Sequence, residues 1–130
     1  MRTKQILLAV LLVGSAVSLG GCVVAAVGAG AAGTVAYLKG DLEAVESRKL
    51  DEVHAATLKA VKELGLNVTQ DTKDALSAVI ITRDAQDKKV KITLRATTEQ
   101  TTKLSIRVGL FGSEAKSRLI YQKIHDYLQK

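Results

Sequence analysis

Apolar and polar positions fall into two regimes along this chain. From Ile6 to Leu38 every residue is apolar, small or hydroxylated, and no charge separates Lys4 from Lys39. Beyond Thr34 the pattern alternates. Ala36, Leu38, Gly40, Leu42 and Ala44 share one face, with Lys39, Asp41 and Glu43 on the other, which predicts a half-buried strand over Thr34–Glu46. The period then becomes helical. Leu50, Val53, Thr57, Ala60, Val61 and Leu64 form one stripe, and Gly65 suits the residue just past the helix end.

Strand patterns resume after that helix. Leu66 and Val68 begin a short strand, and Ala75–Thr82 is a second one, possible as a continuation of the first through Asp71-Thr-Lys-Asp74. Lys89–Ala96 turns Val90, Ile92, Leu94 and Ala96 inward and Lys89, Lys91, Thr93 and Arg95 outward. Lys103–Leu110 turns Leu104, Ile106, Val108 and Leu110 inward and Lys103, Ser105 and Arg107 outward. Asp84–Asp87 and Thr98–Thr101 read as hairpin connections. Ser113 is placed to cap a final helix with a buried stripe of Ser117, Ile120, Ile124, Tyr127 and Leu128. The order β-α-β-β-β(-β)-α predicts an α+β two-layer sandwich. An antiparallel sheet of four to five strands packs on two helices and leaves its other face to water.

Composition narrows this picture. The 130 residues allow one domain, and an apolar fraction of 47% excludes a wholly disordered chain. One Phe, no Trp and no Pro mean a core of Val, Leu, Ile and Ala. A single Cys excludes an intramolecular disulfide and any Cys-rich zinc site.

The uncharged first regime reads either as one long membrane span or as two joined segments, and the second reading fits better. Arg2 and Lys4 form a positive n-region, and Ile6–Val17 is an apolar run of twelve residues. A bilayer span needs ~20. Small residues follow, as at a signal-peptide cleavage site, and the sequence there is Leu19-Gly20-Gly21-Cys22. This resembles the lipobox of bacterial lipoproteins, which implies cleavage before Cys22 and a lipid on its thiol. The expected organisation is a signal peptide at 1–21, a lipidated Cys22 with a small-residue tether at 22–33, and a single domain at 34–130. Each buried lipid CH₂ contributes ~0.8 kcal/mol, so two or three chains anchor firmly where one does not. Val23 stands where inner-membrane lipoproteins commonly carry Asp, so the resemblance implies the inner leaflet of the outer membrane, facing the periplasm.

Gly28, Gly30 and Gly33 match the G-x-G-x-x-G spacing of dinucleotide-binding turns. That chemistry needs a strand before and a helix after, within a βαβ unit. A strand pattern follows instead, so no cofactor is expected; the stretch reads as a small-residue tether or, being rich in Ala and Val, as a segment lying in the membrane surface or a helix packed through its small faces. As a coil its eleven residues reach roughly 18 Å.

Four segments together resemble a known family: Gly33–Glu43, Ala56-Thr-Leu-Lys-Ala60 with Glu63-Leu-Gly-Leu66, Lys89-Val-Lys-Ile-Thr-Leu94, and above all Ile106-Arg-Val-Gly-Leu-Phe-Gly112. The family is one of small bacterial envelope lipoproteins known as a domain of unknown function. The resemblance spans roughly residues 16 to 128 and implies location and fold, with no activity attached.

Charge is unevenly spread. The net charge is +6, but residues 22–87 hold 7 basic and 10 acidic residues while 88–130 hold 10 basic and 3 acidic. Strand alternation places Lys89, Lys91, Arg95, Lys103 and Arg107 on one outward face. Such a face suits anionic headgroups or an acidic partner; otherwise it is a solvated, edge-protecting surface. The envelope location and the lack of interleaved aromatics argue against nucleic acid.

The catalytic inventory is poor. His54 and His125 stand alone on their helices without an i, i+4 His, so no metal site is expected. Ser105, Ser113 and Ser117 lack a nucleophile-elbow setting, and Asp51-Glu52 open a helix, where the dipole favours acids. A second surface candidate is the Gly109–Gly112 corner. There Phe111 is expected in the core of a tight strand-to-helix turn, the alternative being an exposed apolar finger of Leu110 and Phe111. The function expected is therefore a non-enzymatic adaptor, held to the membrane and binding an envelope protein or the cell wall. The alternative is a lipid-handling module with a cavity between the sheet and the C-terminal helix.

Overall fold

The computed structural model describes residues 34–130. The chain order is β1 (Thr34–Leu38), β2 (Asp41–Glu46), α1 (Leu50–Glu63), β3 (Asn67–Lys73), β4 (Ser77–Arg83), β5 (Lys89–Thr98), β6 (Thr101–Val108) and α2 (Glu114–Gln129). The expected signal peptide, the tether with Gly28, Gly30 and Gly33, and Cys22 all lie outside the described residues.

All strands join one antiparallel open sheet in the order β1-β2-β6-β5-β4-β3. After β2 the chain crosses through α1 to the far edge, then returns by successive hairpins until β6 pairs with β2. The class is α+β, with six strands among the described residues rather than the expected four to five.

Two local causes account for the difference. Thr34–Glu46 is a hairpin and not a single strand. Lys39 and Gly40 both take positive φ, 53° and 89°, and Leu38 pairs with Asp41. A two-residue turn with both φ positive matches the twist of its flanking strands. It also reverses the phase of β1, so Val35 and Tyr37 pack on the core while Leu38 is exposed. Farther on, Asp74 breaks the segment between β3 and β4, because its Oδ1 accepts the amides of both Leu76 and Ser77 at 2.8 Å.

Alternation then builds the core. Leu42 and Ala44 of β2, Leu104 and Ile106 of β6, Ile92 and Leu94 of β5 and Ile80 of β4 point to one face and are fully or almost fully buried. Burying each large aliphatic side chain contributes ~1.5–3 kcal/mol. Helix α1 packs against β3, β4, β5 and β6, helix α2 against β2 and β6, and the helices pack on each other. The stripe of α1 buries Leu50, Val53, Thr57, Ala60 and Val61, with the Thr57 hydroxyl donating to Val53 O at 2.7 Å. Along α2, Ser117, Ile120, Ile124 and Leu128 are buried as expected, and Tyr121 joins them. Tyr127 is only half-buried because its hydroxyl donates to Glu63. Ser113 occupies the N-cap position of α2 without a side-chain capping bond.

Ile106, Ile120, Ile124 and Leu128 belong to one packed cluster between sheet and helices. The larger cavities described, about 480 Å³ each, open instead at the ends and outer face of the sheet.

Candidate functional site

Register places the predicted basic residues together. Lys91 stands directly opposite Arg107, and Arg95 opposite Lys103. Lys89 stands opposite Arg83, a cation the strand pattern alone had not added to the set. Like charges in directly opposed positions weaken strand pairing. Two of the cations are offset from the neighbouring strand. Lys103 Nζ lies 3.1 Å from Glu43 Oε2, and Arg107 Nε lies 2.8 Å from Asp41 Oδ1. Lys89, Lys91 and Arg95 are exposed and form no ion pair among the described residues. All five predicted cations therefore lie on the outer face, and three of them carry uncompensated charge.

Arg107 does more than line this face. Its Nη1 donates to Leu110 O and its Nη2 to Lys39 O, each at 2.9 Å. One guanidinium thus joins the β1–β2 turn to the loop between β6 and α2. Backbone contact between these loops is close enough to demand glycine. A Cβ on Gly112 would lie 2.3 Å from Gly40 O and 2.6 Å from the Tyr37 hydroxyl, and the φ of Gly112 is 83°.

The consequence overturns two expectations, an inward Leu110 ending the strand and a Phe111 in the core. Phe111 is not in the core: it is 88% exposed and Leu110 is 80% exposed. Positive φ at Gly109 and Gly112 turns the chain outward between them, so the apolar alternation of β6 ends at Val108. Leu38, 58% exposed, lies at the turn bound to this loop. A cavity of about 480 Å³ between Lys88, Lys89, Lys91, Arg107, Gly109 and Leu110 connects the apolar corner to the basic face.

A buried polar cluster occupies the other end of β2. Glu46, 3% exposed, accepts from the Tyr121 hydroxyl at 2.7 Å and lies 3.0 Å from His125 Nδ1. Burial and the adjacent Glu46 carboxylate push the Tyr121 hydroxyl well above its usual range. The pattern held a signal for this: Glu46 is in phase with Leu42 and Ala44, so it must face inward. His54 is also partnered, with Nε2 2.8 Å from Asp71 Oδ1, which ties α1 to β3. Both histidines join elements, and among the described residues no three His, Cys, Asp or Glu side chains gather to hold a metal ion. No helix among these residues is long and apolar enough to cross a membrane.

Surface carboxylates near these elements are held ionised. Asp84 is lowered mainly by the Lys88 amide, which donates to its Oδ1 at 2.8 Å, with further help from Gln86 and Lys116. Asp74 is lowered by the amides of Leu76 and Ser77. Glu63 is lowered by the Tyr127 hydroxyl and by Lys123, and Asp51 by Lys73.

The geometry defines a small α+β domain with a cationic outer sheet face and a rigid apolar corner. The chain belongs to the family described as protein of unknown function (DUF3568), whose pattern matches residues 5–127. No curated protein matches it.

Proposed function

We propose that this chain is a lipid-anchored bacterial envelope lipoprotein whose folded domain is a non-enzymatic binding module. The observation that carries the reading is Leu19-Gly20-Gly21-Cys22 directly after the apolar run Ile6–Val17, with the only Cys of the chain at the modification position. Cleavage before Cys22 leaves a lipidated residue, a short tether at 23–33 and the α+β domain. Val23 favours the inner leaflet of the outer membrane, so the domain faces the periplasm.

Support for the binding role comes from the outer face. Among the described residues Lys89, Lys91 and Arg95 form no ion pair, where Lys103 and Arg107 are offset by acids. Guanidinium and ammonium groups arrayed on a rigid sheet recognise carboxylates and phosphates by charge-assisted hydrogen bonds. The face therefore suits an anionic surface or partner, whether lipid headgroups, an acidic envelope protein or a cell-wall polymer, and recognition involves no bond making.

The intact mass of membrane-extracted protein, beside a Cys22→Ser version, tests the anchor. A mass equal to residues 22–130 plus a diacylglyceryl group and an acyl chain is expected. An unmodified full-length mass would overturn the reading and make the uncharged stretch before β1, residues 6–33, a candidate membrane segment.

A further inference from the structure

We infer that the Leu110–Phe111 corner is a second membrane contact, which seats the folded domain on an anionic lipid surface. The inference rests on the envelope-anchored reading for the nearness of a bilayer. The chemistry of the corner stands apart from it.

Four observations converge. The sole Phe of the chain is 88% exposed, beside a Leu at 80% exposure and near Leu38 at 58%. An apolar group of this size on a loop tip gains nothing from water. Second, the exposure is built. Gly40 and Gly112 meet backbone to backbone, and Arg107 fastens both loops, so the two side chains cannot fold back without breaking those contacts. A preorganised tip loses little conformational freedom on insertion.

Third, the charge around the tip suits anionic headgroups. Lys39, Lys88, Lys89 and Lys91 are exposed and form no ion pair among the described residues. The acids nearest in sequence to these lysines and to the tip are engaged: Asp41 with Arg107, Asp84 with Lys116, Asp87 with Arg83 and Glu114 with Arg118. Apolar side chains flanked by lysines are the composition of interfacial membrane contacts. Fourth, the reach suffices. The tip lies at the far end of β1 from Thr34, about 13 Å along the strand. The eleven residues from Val23 to Gly33 span at most ~40 Å.

The chain contains no Trp, so F111W provides a single reporter at an exposed position that leaves the core untouched. Full-length F111W is reconstituted in phosphatidylglycerol-rich vesicles and in phosphatidylcholine vesicles, and quenching by brominated lipid and by aqueous iodide is compared. In phosphatidylglycerol we expect blue-shifted emission, strong quenching by brominated lipid and protection from iodide, each weaker in phosphatidylcholine. Adding Lys88→Glu, Lys89→Glu and Lys91→Glu should lower the insertion equilibrium ~100-fold, since each cation at the surface contributes a factor of about 5. Adding Leu110→Ser should lower it as well.

Emission that stays red, open to iodide and untouched by brominated lipid, would overturn the inference. So would a blue shift without lipid quenching, which would mean that protein covers the tip, a second copy or another partner. The intact mass of the same preparation reports the anchor separately. An anchored protein with an unquenched tip refutes the corner alone, and a quenched tip on an unmodified chain refutes the anchor alone.

Discussion

The Tyr121 hydroxyl donates a 2.7 Å hydrogen bond to Glu46 Oε1, joining α2 to β2 across 75 positions of sequence. Glu46 is nearly inaccessible, and His125 is its other partner in the cluster. A buried carboxylate is tolerated only while its hydrogen bonds persist. Tyr121→Phe removes one of them and should destabilise the domain by ~1.5–3 kcal/mol, measured by urea unfolding. The alkaline limb gives a second readout. The folded value of Tyr121 is raised above the usual 10.0, so its contribution is complete below pH 10 and is lost as pH rises toward the folded value. The variant should show a flatter decline of stability above pH 10 than the parent.

On the acid side the sign reverses. Asp74 and Asp84 are lowered from 3.8 by backbone amides, so the stability they contribute is complete above that value and is lost as pH falls through the folded values. Asp84→Asn, followed by thermal unfolding between pH 2 and 6, should reduce the loss of Tm on acidification. Equal slopes for variant and parent would show that Asp84 is not a source of the acid limb.

Adjacent positions at the corner should respond in opposite ways. Gly112→Ala forces a Cβ to within 2.3 Å of Gly40 O at a φ of 83°, so it should cost at least ~2 kcal/mol. Phe111→Ala alters only exposed surface and should change stability by no more than ~0.5 kcal/mol. Tm values of the two variants decide this directly.

Arg107 holds two loops and one acid with a single fork. Arg107→Lys keeps the charge but lacks the geometry to reach Asp41, Leu110 O and Lys39 O together. A loss of ~1–2 kcal/mol is expected. Hydrogen exchange should quicken at the amides of residues 110–112 while remaining slow in β5.

Arg95 stands directly opposite Lys103. Replacing one of two opposed like charges relieves repulsion, so Arg95→Glu should raise stability by ~0.2–1 kcal/mol. If the outer face binds an anionic partner, the same variant should elute earlier in salt from a sulfated or phosphorylated matrix. Greater stability with unchanged retention would show that Arg95 takes no part in anion contact.

Much of this arrangement was legible without coordinates. Alternation in Lys89–Ala96 and Lys103–Val108 has a period of two, and backbone geometry alone converts that into faces. The outward set Lys89, Lys91, Arg95, Lys103 and Arg107 therefore followed from local order, as did most of the buried stripes of both helices, with Tyr121 buried in place of Tyr127.

Other features depended on distant contacts. The Lys39-Gly40 turn splits a segment whose alternation runs on unbroken, and nothing within it marks the reversal as an Asn-Gly pair would. Its position is set by β6, where Asp41 meets Arg107. The exposure of Phe111 arose in the same way: hydrophobicity predicted burial, while the backbone contact between Gly40 and Gly112 turned the side chain outward. The pairing of Glu46 with Tyr121 needed α2 to cross β2. What the sequence determined by itself was periodicity, and with it both helices and the faces of β4, β5 and β6, since these rest on neighbours within a few residues. Only the tertiary structure decided which cations stay unpaired, where the apolar corner projects and which buried acid finds its partners. Those outcomes depend on residues tens of positions apart, and their meeting is an energy of the whole fold.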